Sequence, residues 1–262
     1  MPNNLRTRPR LATAPKRFVV TGAAGGLGRA ALAALAERGA EVLAVDVDGA
    51  KLAEAAAPHR GRVHAHVADL ADDDAAAGLA SAAQRTLGDV DGLFNTLAIQ
   101  GPVRRFRDYP DDEFDRVMRV NVGGVWRACK AILPFLLRRG GVIVNTSSTA
   151  GVRAYPELSA YIASKHAING LTMAVAVEHA SEGVRAYALC PGGMDAPMLH
   201  EVMDAQYGDR ERGMRELAAS APDGVLATPA EVAAVGVWLL ADAPAHLNGI
   251  VVPVDGAKTA RG

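Results

Sequence analysis

RFVVTGAAGGLG, residues 17–28, is the stretch of sequence that decides the fold. Its first residues, Arg17 to Val20, are a short apolar run of the kind that forms a buried strand, and a glycine-rich loop follows. A helical pattern, Ala30 to Glu37, begins directly after the loop. Strand, glycine loop and helix in this order are the setting of a dinucleotide-binding loop, which the sequence therefore predicts here.

Three glycines of this loop, Gly22, Gly26 and Gly28, have distinct expected roles. Gly22 permits the tight turn, Gly26 lets the backbone approach a pyrophosphate, and Gly28 lets the helix sit against the sheet. The free N–H groups of the helix N-terminus, where Leu27 lies, are expected to bind the anion. The alternative is a turn that is merely rich in small residues, and the order of strand, glycines and a downstream acid disfavours it.

The downstream acid is Asp46, which follows Gly28 by 18 residues (46 − 28) at the end of the second strand pattern. A carboxylate there can accept both hydroxyls of an adenosine ribose, which predicts NAD as the cofactor. The 2′-phosphate of NADP would bring like charge to it, at a cost on the order of 4 kcal/mol at 4 Å and an effective dielectric of 20. The alternative role, capping of the next helix, is better fitted by Asp48.

Short apolar runs alternate with longer helical patterns along the rest of the chain. The strand candidates are Arg17 to Val20, Glu41 to Val45, Arg62 to Val67, Gly92 to Phe94, Val142 to Asn145, Val184 to Leu189 and Ile250 to Val254. The helix candidates are Ala30 to Glu37, Ala50 to Ala57, Asp73 to Leu87, Asp111 to Leu137, Ser159 to Ala180 and Pro229 to Leu240. This alternation predicts an α/β fold with a doubly wound, Rossmann-type parallel sheet of seven strands and three helices on each face.

The chain of 262 residues is long enough for one well-buried domain of this kind. We expect a flexible basic tail at residues 1–15 and a single Rossmann-type domain over residues 16–262. The one long irregular stretch runs from Gly192 to Thr228. Because a connection of that length in a compact domain is usually functional, a substrate lid is expected near residues 193–228.

Composition disfavours several other classes of protein. The formal net charge of -1 provides no general field to attract nucleic acid. No segment approaches 18 apolar residues without a charge or a turn-forming residue, and no secretory apolar region follows the N-terminus, so we expect no membrane partner and a cytoplasmic location. Cys129 and Cys190 are expected to be reduced. His64 and His66 alternate on one strand without a third ligand nearby, so no metal is expected.

Tyr161 and Lys165 lie four residues apart in the helical pattern that begins near Ser159, so both side chains emerge on one face. An ammonium group beside a phenol favours the phenolate and would lower its pKa from the ordinary value of about 10. This pair could therefore exchange a proton with a substrate. At this spacing such a pair is also commonly just a solvated surface.

The sequence Tyr161-Ile162-Ala163-Ser164-Lys165, preceded by Asn145-Thr146-Ser147-Ser148 on a strand, resembles the compact, single-domain short-chain dehydrogenase/reductase family. Ser148 precedes Tyr161 by 13 residues (161 − 148), as the family's catalytic serine does. The loop from Thr21 to Gly28 is similar to the family's nucleotide fingerprint. Further similar motifs, which extend the match to nearly the whole chain after the tail, are Val120-Asn121-Val122, Pro191-Gly192, Pro229 to Ala233 and Val254-Asp255-Gly256.

The resemblance implies roles for these residues. Tyr161 would exchange a proton with the substrate oxygen, and Ser148 would hold that oxygen by a hydrogen bond. Lys165 would bind the nicotinamide ribose and lower the pKa of Tyr161, and Asn121 would anchor a water that relays the proton. Further contacts with the cofactor are implied for Asp69, Leu70, Asn95, Pro191, Gly192 and Met194. For Asp69 the alternative is a cap of the helix near Asp72. A homotetramer packed through the helices Asp111 to Leu137 and Ser159 to Ala180 is also implied.

The chain departs from the family pattern at two places. Where the family usually has Asn-Asn-Ala-Gly, this chain has Asn95-Thr96-Leu97-Ala98, and the Cβ of Ala98 replaces a glycine that allows close approach. Ala196 stands where the family usually has a threonine whose hydroxyl steadies the cofactor's carboxamide. The carboxylate of Asp195 offers a competing partner for that carboxamide.

Hydride transfer between NAD and a secondary alcohol or ketone is therefore the expected activity. Because methionine and other apolar side chains dominate the lid, the substrate is expected to be apolar or cyclic. The residues expected around it are Ser148, Tyr155, Tyr161, Met194, Met198, Leu199, Met203 and Tyr207. Two alternatives stay open: an NADPH-dependent ketoreductase of natural-product tailoring, and a cofactor-binding homologue without turnover.

Overall fold

Seven parallel strands form one sheet in the computed structural model of the chain, which describes residues 16–260. The strands are β1 (Arg17–Thr21), β2 (Glu41–Asp46), β3 (Val63–Val67), β4 (Gly92–Asn95), β5 (Gly141–Thr146), β6 (Val184–Pro191) and β7 (Val251–Val254). Their order across the sheet is β3-β2-β1-β4-β5-β6-β7. The order reverses between β1 and β4, and an open parallel sheet forms its ligand crevice there, beyond the carboxyl ends of the strands. The tail expected at residues 1–15 lies outside the described residues.

Helices cover both faces of the sheet. They are α1 (Gly26–Glu37), α2 (Gly49–Ala56), α3 (Ala75–Thr86), α4 (Asp111–Met118), α5 (Val125–Arg139), α6 (Ser159–His179), α7 (Pro197–Tyr207), α8 (Arg210–Ala219) and α9 (Pro229–Ala241). Successive strand residues point to opposite faces, so Val20 packs with α1, α2 and α9, whereas Val19 packs with α3, α5 and α6. The doubly wound sheet expected from the sequence is confirmed.

The long helix expected from Asp111 to Leu137 is divided in the structure. A π-helical turn, Arg119–Gly124, separates α4 from α5, and α5 continues to Arg139. A π turn widens the helix by one residue, and such turns occur frequently at functional sites. In this fold the turn carries Asn121, one of the expected site residues.

We expected residues 193–228 to be irregular, and this prediction is wrong. The segment contains the helices α7 and α8. The local signals for both helices are present in the sequence. Pro197 occupies the first turn of α7, Gly208 ends it with a positive φ of 64°, and the side chain of Asp209 caps α8 by accepting from the N–H of Arg212. The lid expected at residues 193–228 is therefore built as a helical hairpin, and its role as a lid stays a prediction.

One helical stretch among residues 16–260, Asp111–Arg139, is long and apolar enough to cross a membrane by length and composition. The sequence led us to expect none, because charged residues interrupt the apolar runs. Half of its apolar window is buried inside the protein, where Ala128, Ile132 and Leu136 pack in the core below the sheet. The stretch thus has the packing of a core helix.

Candidate active site

The glycine loop after β1 is closed too tightly for larger residues at two positions. A Cβ added to Gly28 would lie 2.2 Å from the carbonyl oxygen of Gly22. One added to Gly22, whose φ is +67°, would lie 2.5 Å from the backbone nitrogen of Leu97. No side chain caps α1 at Gly25, and its first turn has no acidic residue. The helix therefore offers free N–H groups and its positive dipole end to an anion in the loop.

The carboxylate of Asp46 lies beside this loop at the end of β2. Its Oδ2 accepts from the N–H of Ala24 at 2.9 Å, and its Oδ1 accepts from the N–H of Asp48 at 3.0 Å. Because a carboxylate has about four lone-pair positions, these bonds leave Asp46 able to accept from ribose hydroxyls. As expected, the cap of α2 is Asp48, whose side chain accepts from the N–H of Lys51.

Two residues near the end of β5 attach this strand to α6. The side-chain amide of Asn145 donates to the hydroxyl of Thr172 at 3.0 Å, and the hydroxyl of Ser147 donates to the carbonyl of Lys165 at 2.9 Å. Asn145 and Ser147 are two residues apart, so both side chains point to the same face of the sheet. These bonds fix the position of α6 along β5.

Thr146 and Ser148, which alternate with Asn145 and Ser147 along the chain, contact the ammonium and the phenol of α6. The carbonyl of Thr146 accepts from Nζ of Lys165 at 2.9 Å, and the hydroxyl of Ser148 is hydrogen-bonded to the phenol of Tyr161. The ammonium of Lys165 lies 5.4 Å from the centre of the Tyr161 ring. The structure thus brings together three of the four residues expected to be catalytic, at the carboxyl end of β5.

Burial dominates the electrostatics of this group. It raises the pKa of Tyr161 to about 12, against the hydrogen bond from Ser148, which lowers it. Burial also lowers the pKa of Lys165 to about 8. Nζ of Lys165 donates to the carbonyl of Thr146, and the expected lowering of the Tyr161 pKa by Lys165 stays a prediction. The phenol is therefore neutral at pH 7, the form that donates a proton to a carbonyl oxygen.

Comparison with known proteins gives a consistent result. The model of a short-chain dehydrogenase family, described as enoyl-(acyl carrier protein) reductase, matches residues 22–258. The chain is 32% identical to a 3beta-hydroxysteroid dehydrogenase of Mediterraneibacter gnavus, over 93% of this chain and 95% of the relative. A crystal structure of levodione reductase superposes with a TM-score of 0.92 at 31% identity, over 94% of this chain and 98% of the other.

The chain belongs to the short-chain dehydrogenase/reductase family. A third similar protein, an NAD+-bound xylitol dehydrogenase, superposes with a TM-score of 0.86 at 31% identity, over 91% of this chain and 97% of the other. As a member of this family, the protein is a nicotinamide-dependent oxidoreductase of alcohols and ketones. The closely approached glycines, the uncapped α1 and the spare lone pairs of Asp46 fit a dinucleotide, which when bound supplies the hydride donor or acceptor.

The fourth expected catalytic residue of this short-chain dehydrogenase, Asn121, is buried in the π turn. Its amide accepts from the N–H of Ile99 at 2.8 Å and donates to the carbonyl of Ile99 at 2.8 Å and to the hydroxyl of Ser164 at 3.0 Å. Ser164 in turn donates to the carbonyl of Tyr161. The side chain of Asn121 therefore joins the loop after β4 to the helix that carries Tyr161, and its contact with a water stays a prediction.

Asn95 does not direct its side chain into the cleft, as a cofactor contact through that side chain would require. It is 1% exposed, accepts from the hydroxyl of Thr21 at 2.8 Å and donates to Oδ1 of Asn145 at 2.8 Å. These bonds link β1, β4 and β5 inside the sheet. A contact between Asn95 and the cofactor would have to use the backbone.

The departure after Asn95 stabilises the glycine loop in another way. The hydroxyl of Thr96 donates to the carbonyl oxygens of Thr21 at 2.7 Å and Gly22 at 3.1 Å. Leu97 packs toward the π turn, where its side chain would lie 3.0 Å from a Cβ on Gly124. The bulkier sequence therefore fills the space between the glycine loop and the π turn.

The remaining expected contacts on the adenine side differ in their exposure. The side chains of Leu27 and Leu70 are buried in the two cores, so both could contact a cofactor only through the backbone. Asp69 is exposed, and its carboxylate accepts from the N–H of Ala71 at 2.9 Å. It does not cap α3, whose cap position is Asp74, so the alternative role for Asp69 is wrong.

The segment after β6 lies where the resemblance places the nicotinamide. The N–H of Gly192 donates to Val254, and a Cβ on Gly192 would lie 2.9 Å from the Cβ of Asp255, so Pro191 and Gly192 are held against the end of β7. Met194 forms a parallel bridge with Ala227. The bonds of that bridge use the carbonyl of residue 193 and the N–H of residue 195. They leave the N–H and carbonyl of Met194 directed to the opposite edge.

The two residues around the missing threonine have other partners. Ala196 is buried and occupies the cap position of α7, where no side chain caps the helix. The carboxylate of Asp195 is hydrogen-bonded to Nε2 of His200 at 2.6 Å, so it already has a partner within the lid.

The residues expected around the substrate are only partly brought together. Tyr155 lies with its ring centre 5.8 Å from Nζ of Lys258. Met198 is in the first turn of α7 and is partly buried. Met203 and Tyr207 were expected to line the pocket, but both would contact a Cβ on Gly213 at 2.8 Å. They therefore pack between α7 and α8.

No cluster of three or more histidine, cysteine, aspartate or glutamate side chains suited to a metal occurs within residues 16–260. His64 instead pairs with Glu41, with Nε2 3.1 Å from its carboxylate.

Proposed function

We propose that this short-chain dehydrogenase uses NAD to oxidise a secondary alcohol, or to reduce the matching ketone, with an apolar or cyclic substrate. The observation that carries the proposal is the hydrogen bond between Ser148 and Tyr161 beside the buried ammonium of Lys165. This arrangement lies at the carboxyl end of β5, on the same edge of the sheet as the glycine loop after β1 and the Asp46 carboxylate at the end of β2.

The roles of the side chains follow from their positions. Ser148 donates to or accepts from the substrate oxygen and orients it toward Tyr161. Tyr161 gives its proton to a carbonyl oxygen in reduction and accepts the proton of the hydroxyl in oxidation. The buried ammonium of Lys165 favours the phenolate that reduction leaves behind, because the two charges have opposite sign in a site of low dielectric.

A direct test of these roles replaces the phenol alone. In Tyr161→Phe we expect turnover to fall by at least about 100-fold, since general acid–base catalysis contributes that much or more. NADH binding, measured by fluorescence titration, should stay near that of the wild type because the phenol does not hold the cofactor. Retained turnover would show that another group transfers the proton. NADH binding without turnover of any alcohol by the wild type would favour the homologue that lacks catalysis.

The preference for NAD rests on the surroundings of Asp46. A 2′-phosphate would need a cation, and the two cations linked to this loop already have acidic partners: Arg29 pairs with Glu54, and Lys51 pairs with Asp48. The residue after Asp46 is Val47, which is 63% exposed and whose side chain offers no donor to a phosphate. Repulsion from Asp46 would therefore act on NADP without compensation.

Comparison of kcat/KM with NAD and NADP tests this preference. We expect a strong preference for NAD that narrows in Asp46→Ala, because both the ribose hydrogen bonds and the repulsion are lost. Asp48→Asn is the matched control, since it removes one charge two residues away but keeps the cap of α2. Equal use of both cofactors by the wild type would instead favour the NADPH-dependent ketoreductase.

The proposed class of substrate rests on the lid. Met194, Met198 and Leu199 are partly buried apolar side chains at its base. Each additional CH2 group that a substrate buries there would contribute about 0.8 kcal/mol. A panel of secondary alcohols with NAD, followed at the nicotinamide absorbance, should show larger kcat/KM for bulky cyclic members than for short polar ones. Preference for a small hydroxy acid would contradict this.

We also propose a homotetramer in the cytoplasm. Support for the assembly comes from large exposed side chains on the helices that we expected to pack together, namely Phe114 and Trp126 on α4 and α5, and Met173 and Val177 on α6. Light scattering after size-exclusion chromatography measures the mass of the assembly in solution. Val177 is 81% exposed in the single chain, and Val177→Glu should reduce that mass. Cell fractionation tests the location.

A further inference from the structure

A group of buried polar residues lies behind the active site, on the side of α6 that faces β5. Asn169 is one turn beyond Lys165 on α6 and is 8% exposed. Its Nδ2 donates to the carbonyl of Gly151 at 2.9 Å, and its Oδ1 accepts from the thiol of Cys190 at 3.8 Å. Neither bond involves an atom that would touch the substrate or a cofactor.

Gly151 ends the short 3-10 turn Thr149–Gly151, which begins directly after Ser148. The N–H of Gly151 donates to the carbonyl of Ser148 at 2.8 Å. The amide of Asn169 therefore holds the turn that carries the catalytic serine. On the other side of Ser148, the hydroxyl of Ser147 donates to the carbonyl of Lys165.

The packing around Gly151 is close. A Cβ added to Gly151 would lie 2.3 Å from Oγ of Ser147, 2.8 Å from the carbonyl oxygen of Lys165 and 3.0 Å from Nδ2 of Asn169. The turn after Ser148 is thus clamped to α6 from both ends, by Ser147 before the serine and by Asn169 after it. Both clamps attach it to the helix that carries Tyr161.

We propose that Asn169 is a positioning residue, whose amide fixes the turn after Ser148 so that the serine hydroxyl meets the phenol of Tyr161. The role rests on the proposed function of Tyr161 and Ser148. It predicts that loss of the amide loosens the hydrogen bond between these two groups while the glycine loop and its cofactor contacts stay as they are.

The first test compares Asn169→Leu with Thr172→Val. Both changes remove a buried polar group from the same face of α6, but Thr172 bonds to Asn145, away from the turn. We expect Asn169→Leu to lower kcat by about 10-fold to 100-fold, as small misplacements of catalytic groups do, with KM for NAD nearly unchanged. Thr172→Val should lose stability without that loss of kcat.

The pH profile separates positioning from stability. The hydrogen bond from Ser148 lowers the pKa of Tyr161, so its loosening should move the limb of the kcat profile that depends on the phenolate to higher pH. Asn169→Leu should therefore shift that limb in the same direction as Ser148→Ala, and by less. An unchanged profile with reduced thermal stability would overturn the proposal.

A double-variant cycle tests whether Asn169 acts through Ser148. If it does, adding Asn169→Leu to Ser148→Ala should cause little further loss of kcat, whereas independent effects would multiply and would refute the role. An NMR measurement provides a readout that does not need turnover. The signal of the Tyr161 ring carbon that bears the hydroxyl is assigned by its absence in Tyr161→Phe. Its chemical shift should change in Asn169→Leu and in Ser148→Ala but not in Thr172→Val. Failure of the proposed function appears separately, as a wild type without turnover.

Discussion

Replacement of Lys165 by methionine should make the protein inactive and at the same time change how its stability depends on pH. Lys165 is 2% exposed, and its ammonium donates to the carbonyl of Thr146. Burial lowers its pKa from 10.5 to about 8, so at pH 7 the folded protein holds a charge that its surroundings disfavour. In Lys165→Met an apolar chain of similar length takes its place.

The size of the effect follows from the pKa. A shift of about 2.5 units (10.5 − 8) at 1.36 kcal/mol per unit amounts to about 3 kcal/mol of destabilisation by the charged form. Since the folded-state pKa is the lower one, this destabilisation is complete below pH 8 and disappears as the pH rises through 10.5. Loss of the bond to Thr146 opposes it by roughly 1–3 kcal/mol in the variant. At pH 7 we therefore expect Lys165→Met to be as stable as the wild type or slightly more stable.

The measurement is chemical denaturation of both proteins at pH 7 and pH 10. Between these two values the wild type should gain about 2–3 kcal/mol of unfolding free energy relative to Lys165→Met. Titration of groups distant from Lys165 is common to both proteins and cancels in this difference, and the phenol of Tyr161, with a pKa of about 12 in the folded protein, stays neutral up to pH 10. Lys130→Met, which alters an exposed lysine of α5, is the matched control and should follow the wild type. Parallel stability curves for the wild type and Lys165→Met would refute the reasoning.

Three further predictions concern the backbone around the site. Gly28→Ala should impair both folding and NADH binding, because its Cβ would lie 2.2 Å from a backbone oxygen. The control Gly78→Ala, whose Cβ would have nothing within 4 Å, should be neutral or stabilising. Equal changes in melting temperature for the two variants would contradict this. Glu157→Gly should raise the free energy of unfolding by up to about 1 kcal/mol, because φ at Glu157 is 67°, and Glu157→Gln, which keeps that strain, should show no gain. Ala196→Thr should cap α7, protect it from proteolysis and tighten NADH binding by at most about tenfold, and identical behaviour of Ala196→Val would show that the hydroxyl has no role.

The main features of the fold could be read from the sequence because they depend on local patterns. The apolar run before Gly22, the glycine spacing and Asp46 each report on neighbouring residues, and the sheet has the strands that these patterns predicted. The four-residue spacing of Tyr161 and Lys165 likewise fixes their common face without any tertiary information.

The parts that could not be read depend on distant contacts or on competing local signals. The bond from Lys165 to Thr146, and the burial that raises the pKa of Tyr161 to about 12, arise only when β5 meets α6. The amide of Asn169 has no meaning in the sequence until Gly151 lies beside it. In residues 193–228 the helix signals were present at Pro197 and Gly208, but the turn-forming residues around them favoured a loop.

The chain of buried amides and hydroxyls that crosses the sheet has a consequence for folding. Thr21 in β1 pairs with Asn95 in β4, which pairs with Asn145 in β5, although these strands are distant in sequence. A slip of one strand by a single residue would turn its polar group to the other face and leave the partners unsatisfied in a dry interior, at a cost of roughly 1–3 kcal/mol each. An otherwise uniform set of valine and leucine strands would tolerate such slips far better. The hydrogen-bonded polar residues thus select one register of the strands. The same register places Thr146 and Ser148 opposite the helix that carries the reactive tyrosine.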